Sequence, residues 1–62
     1  MPIIRVEMFA GRSVEQKRAI AAALTEAFVT HGGSPPSAVT VVFADVAKED
    51  WAVAGKLAIY RE

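Results

Sequence analysis

An α+β fold built on a single β-α-β unit, with parallel strands and a short C-terminal hairpin or turn, is what this 62-residue sequence predicts. Three observations carry that reading. An alternation of period two opens the chain, a capped stretch of helical period follows, and a β-branched run comes after it. Strand, long helix and strand in that order predict parallel strands joined by a right-handed crossover.

The first strand is expected over about residues 2–9, where Ile4, Val6 and Met8 alternate with Ile3, Arg5, Glu7 and Phe9. Gly11 breaks the pattern. Ser13 is a good helix N-cap, and Gln16 three residues later completes a capping box, with Glu15 in the first turn favoured by the helix dipole. Ile20, Ala23, Leu24, Ala27, Phe28 and His31 then recur at helical spacing and predict the buried face. Lys17, Arg18, Thr25 and Glu26 are expected on the other faces. Gly32-Gly33 ends the helix, and Ser34-Pro35-Pro36-Ser37 forms a turn. Val39 to Asp45 reads as the second strand, with Val39, Val41 and Phe43 on one face. Trp51 to Gly55 fits a short hairpin or a final helical turn, which periodicity does not separate.

Residues 1–62 make one domain, and a thin one. A chain this short buries only about 60% of its unfolded surface, a gap that small proteins close with disulfides, a metal or self-association. Cysteine is absent, and the single histidine, His31, does not make a structural zinc site alone. Two parallel strands under one helix also leave one sheet face bare, whereas parallel sheets are covered on both faces. With 53% apolar residues, association is the expected remedy.

Seven basic and seven acidic side chains give zero formal charge, with no Lys/Arg cluster for nucleic acid or an anionic membrane surface. No apolar run approaches a membrane span and no secretory pattern opens the chain, so a cytoplasmic protein is expected.

A few residues have chemistry to offer. Trimming of Met1 would leave Pro2 as a free secondary amine, and α-amino groups titrate near about 7.7–8.0. An apolar pocket or a nearby cation would lower that toward working pH, where a general base is most effective. Proline is also ordinary at the start of a strand. Arg12, between Gly11 and the cap Ser13, gains nothing from the helix dipole; it suits a bidentate grip on a carboxylate, or simply a solvated loop. Trp51, the one tryptophan, suits packing or the wall of a neighbour's pocket. His31 reads as a residue of the helix C-terminus, and Lys48-Glu49-Asp50 as a solvated turn.

Taken together, Met1-Pro2-Ile3, Gly11-Arg12-Ser13 with Glu15-Gln16-Lys17, then Ala47-Lys48, Trp51 and Gly55 resemble the 4-oxalocrotonate tautomerase family over nearly the full chain. The resemblance implies a tautomerase-like homohexamer, a trimer of dimers, acting on a small carboxylate substrate without a cofactor or metal. Pro2 would be the general base, Arg12 the carboxylate-binding arginine and Trp51 the pocket aromatic, usually a phenylalanine. The family's second arginine, which polarises the substrate carbonyl from a neighbouring subunit, falls on Thr40. A hydroxyl donates one hydrogen bond and carries no charge, which leaves Arg5, Lys56 or Arg61 of another chain as substitutes. The expected activity is keto–enol or 1,3-proton transfer on a 2-oxo or unsaturated acid. Hydration or dehalogenation of unsaturated acids, a non-catalytic subunit of a mixed hexamer, and a small-ligand binding module are the alternatives.

Overall fold

The structure, a computed structural model, describes residues 2–60; Met1 and Arg61 lie outside them. Strand β1 (Ile3–Phe9) leads through a short loop into helix α1 (Val14–Gly32), and the chain returns along β2 (Thr40–Val46). β1 and β2 pair in parallel, Ile3 opposite Thr40 and Phe9 opposite Val46. The expected β-α-β unit is therefore present, with β2 starting and ending one residue later than the sequence suggests. A hairpin of β3 (Ala52–Val53) and β4 (Lys56–Leu57) closes the chain, resolving the ambiguity after Trp51 in favour of strands.

Local chemistry sets the ends of α1. Gln16 N–H donates to Ser13 Oγ at 3.1 Å, and Ser13 N–H donates to Gln16 Oε1 at 2.9 Å, so both halves of the capping box form. At the other end Gly33 takes a left-handed conformation (φ 76°) and donates its N–H to the Val29 carbonyl at 3.3 Å. The hairpin turn needs the same geometry twice, at Ala54 (φ 55°) and Gly55 (φ 78°). Alanine there works against its own Cβ, which disfavours that region by roughly 1–2 kcal/mol.

The inward face of α1 departs from the sequence reading. Lys17, Ile20, Ala21, Leu24, Thr25 and Val29 are half-buried, while Ala23, Ala27 and His31 are exposed. The helix is turned by about one residue. The cause is polar: Lys17 Nζ meets Asp45 Oδ2 of β2 at 2.7 Å, which lays the lysine stem across the sheet. Alternation along the strands then puts Ile4, Val6, Met8, Val41 and Phe43 under the helix with Asp45. Ile3, Arg5, Glu7, Phe9, Thr40, Val42, Ala44 and Val46 face the other way, where no element among the described residues spans the sheet.

The resulting core is minimal. Among the described residues only Met8 and Ala58 are buried, and Ile3 (69%) and Val42 (40%) on the bare face are exposed. The radius of gyration is 14.5 Å, against about 11 Å for a compact chain of this length. Accessible surface reaches 4757 Å², against about 3,900 Å² for a compact 6.6 kDa monomer. Light scattering at micromolar concentration should accordingly report a hexamer, or at least a dimer. A compact 6.6 kDa species would contradict this.

Candidate functional site

The sheet holds the candidate residues at two separate ends. At the start of β1, Pro2 is half-buried and its carbonyl accepts from the Thr40 N–H at 3.0 Å, so Pro2 and Thr40 are neighbours across the strand pair. At the far end of the sheet lie Arg12 and Trp51. Between Pro2 and Phe9 the strand covers about 23 Å, several times the reach of a side chain. Within one chain, Pro2 does not meet Arg12.

The far end is organised around Phe9. Gly11 takes φ 125°, a conformation that side chains rarely adopt, and so turns the chain out of β1 and into the helix cap. Arg12 then folds back, and its Nη1 donates to the Phe9 carbonyl at 3.4 Å. That bond is long and leaves the rest of the guanidinium exposed. From the other side Trp51 packs on the Phe9 ring with centroids 4.6 Å apart and planes inclined by 53°, a favourable tilted pairing. Lys48 Nζ lies 5.9 Å from the centroid of the same ring.

A 3-10 turn over Lys48–Asp50 carries these contacts. Asp50 N–H donates to the Ala47 carbonyl at 2.9 Å and Trp51 N–H to the Lys48 carbonyl at 3.4 Å. Trp51 is fixed again beyond the turn, where its carbonyl accepts from the Ala58 N–H at 2.7 Å. The tryptophan also walls a shallow groove on the bare sheet face, together with Arg5, Glu7, Ala44 and Asp50. Arg5 there is paired with Glu7 at 3.2 Å, and with Asp50 beside them the groove carries more negative than positive charge. Arg5, already held by Glu7, is a poor substitute for the missing second arginine.

The structure thus joins Pro2 to Thr40, and brings Arg12 and Trp51 each to Phe9, one at its carbonyl and the other at its ring. Phe9 and Lys48 join them, where the sequence reading placed Phe9 only in the first strand and Lys48 in a solvated turn. Phe9 gives one signal in the sequence: a large aromatic at a position of β1 whose neighbours in the alternation, Arg5 and Glu7, are charged. What the arrangement offers chemically is a cation without a carboxylate partner among the described residues, beside an apolar, aromatic wall at one end. At the other lies the first residue of the strand, next to a hydroxyl.

Comparison with known proteins agrees with this architecture. Residues 2–58 match the family model described as "Tautomerase enzyme". The 2-hydroxymuconate tautomerase of Comamonas testosteroni is 44% identical over 55 residues, 89% of this chain and 87% of that one. Among solved structures, a 4-oxalocrotonate tautomerase isozyme from Methylibium petroleiphilum superposes with a TM-score of 0.93 at 40% identity, covering 97% of this chain and 94% of its own. A heterohexamer 4-oxalocrotonate tautomerase from Chloroflexus aurantiacus gives 0.92 at 31% identity, with both chains covered completely.

The packing of the far end predicts a local effect. Phe9→Leu keeps an apolar side chain but removes the ring pair, worth about 0.5–1.5 kcal/mol beyond buried area. Denaturation should show that loss, and the emission of Trp51, the sole tryptophan, should shift to the red as water reaches the indole. Unchanged emission would contradict the contact.

Proposed function

This chain belongs to the tautomerase family, and on that premise we propose that it catalyses keto–enol or 1,3-proton transfer on a small 2-oxo or unsaturated carboxylic acid, with the Pro2 amine as general base. The observation that carries the proposal is the division of the candidate residues between the two ends of a sheet whose other face is bare. Pro2 of one copy and Arg12 and Trp51 of another complete each other when copies cover that face. A homohexamer, a trimer of dimers in the cytoplasm, is the assembly proposed, and a related chain from Chloroflexus aurantiacus is named as part of a heterohexamer.

The proposed chemistry needs an amine, a cation and a dry wall. Loss of Met1 leaves Pro2 with a free nitrogen lone pair. That lone pair takes a proton from the carbon next to the ketone, or conjugated with it. The C–H electrons move through the conjugated system onto the carbonyl oxygen, forming a dienolate. The protonated proline then returns the proton to a different atom, and the amine is regenerated without a cofactor. Arg12 holds the substrate carboxylate through paired N–H donors, which fixes the reacting carbon near the base. Thr40 of a neighbouring copy, at the position of the family's second arginine, offers one hydroxyl to the developing oxyanion. Trp51 and Phe9 exclude water and favour the neutral form of the amine.

A second reading is a non-catalytic subunit of a mixed hexamer. The heterohexameric relative and the uncharged Thr40 favour it.

Two expectations separate these readings, each measured as turnover of an enolised aryl pyruvate. Activity should rise with pH as the amine loses its proton, with a midpoint below the about 7.7–8.0 of an ordinary α-amine. Blocking the nitrogen, by retaining Met1 or by adding a residue before Pro2, should abolish turnover and leave the oligomer intact. Pro2→Ala keeps a terminal amine and should be milder. Full activity of the blocked protein would rule out proline as the base. Arg12→Ala should lower kcat/KM by about 10–100-fold, since hydrogen bonds to charged groups contribute on the order of 1.5–3 kcal/mol. Its thermal midpoint should hold, because the side chain is exposed in a loop. Unchanged kinetics would return Arg12 to the role of a solvated arginine.

A further inference from the structure

We infer that Lys48 is a second anion-binding residue of the site, acting beside Arg12 on a substrate that presents a second negatively charged oxygen group. The inference rests on the proposed function for its setting, but the geometry behind it is separate. Six basic side chains are described. Arg5 is paired with Glu7, Lys17 with Asp45 and Arg18 with Glu15. Arg12, Lys48 and Lys56 have no carboxylate partner among the described residues. Two of these three converge on a single residue, Arg12 on the carbonyl of Phe9 and Lys48 on its ring.

The 3-10 turn gives the reason. Lys48 opens the turn and Trp51 follows it, one turn on, with its N–H donating to the Lys48 carbonyl at 3.4 Å. Trp51 reaches the Phe9 ring and the Lys48 ammonium stands over it. The intervening Glu49 and Asp50 are rotated by about a third of a turn each. Asp50 lines the groove with Arg5, Glu7 and Trp51, and among the described residues neither acid pairs with Lys48 within ion-pair distance. At 5.9 Å the ammonium sits at the outer limit of a cation–π contact, about 6 Å. The ring therefore keeps it near the aromatic wall without occupying its N–H donors. Arg12 at the Phe9 carbonyl and Lys48 at the Phe9 ring are thus two cations without carboxylate partners, among the described residues, that bear on one residue.

Phthalate and benzoate test this without any reaction. Both are aromatic acids, one with two carboxylates and one with a single carboxylate, and Trp51 emission reports their binding to the intact oligomer. The unaltered protein should bind phthalate more tightly than benzoate. Lys48→Ala should weaken phthalate by about 10-fold or more and leave benzoate within about 2-fold, as expected for loss of one charged contact. Lys48→Arg should restore phthalate binding, and Arg12→Ala should weaken both acids. The inference is overturned by unchanged phthalate affinity in Lys48→Ala, by equal weakening of both acids, which marks a packing role, or by no binding of either acid to the unaltered protein. Failure of the proline base would appear elsewhere, in turnover by the blocked protein, and would leave this titration decisive for Lys48.

Discussion

One helix cannot cover two faces of a sheet. That constraint governs this molecule more than any single contact. With α1 laid on one side of β1 and β2, the other side keeps Ile3 and Val42 open to water, and the chain encloses almost nothing. A disulfide or a structural metal would be the alternative ways to stabilise so small a chain, and the sequence has no cysteine to build either in the usual form. Further copies of the same chain are the economical cover. Stability and function then become one question, because the surface that must be covered also carries the candidate site residues at its ends.

The strand acts as a spacer. Pro2 and Thr40 begin it, and Phe9, Arg12 and Trp51 gather where it ends, about 23 Å away. Each end is built from short-range devices. The positive φ of Gly11 returns the chain so that Arg12 meets the Phe9 carbonyl, and a 3-10 turn brings Lys48 and the following Trp51 to the Phe9 ring. On the proposed reading, nothing in one chain needs to move to bring Pro2 and Arg12 together, because a neighbour supplies the missing half. The Lys17–Asp45 pair fixes the rotation of α1 on the sheet, and at 28% and 39% side-chain exposure it gives orientation more than energy.

Legibility in the sequence followed the range of the interaction. The α1 boundaries could be read because Ser13, Gln16 and Gly33 act within a few residues of themselves. Strand type and parallel pairing could be read from alternation and from the length of the crossover. The rotation of α1 could not, since it depends on Asp45, 28 residues from Lys17. The hairpin stayed ambiguous because its turn is Ala54-Gly55 instead of the Asn-Gly or Asp-Gly that favours two left-handed residues. Of the candidate site, Pro2, Arg12 and Trp51 were legible as residue types in context. Phe9 and Lys48 were not, because they meet only through the parallel register that sets Phe9 against Val46 just before the Lys48 turn.

The central claim is that the site is shared between copies, with Pro2 from one chain and Arg12 from another. Subunit mixing tests it most directly. Protein with a blocked Pro2 nitrogen and Arg12→Ala protein, each of low or no activity alone, are unfolded together and refolded as a mixture. A shared site recovers up to about a quarter of the unaltered rate, the statistical share of sites drawing an intact residue from each parent. Recovery of none, with mixed oligomers demonstrated by mass, would place Pro2 and Arg12 in the same chain's site and contradict the account.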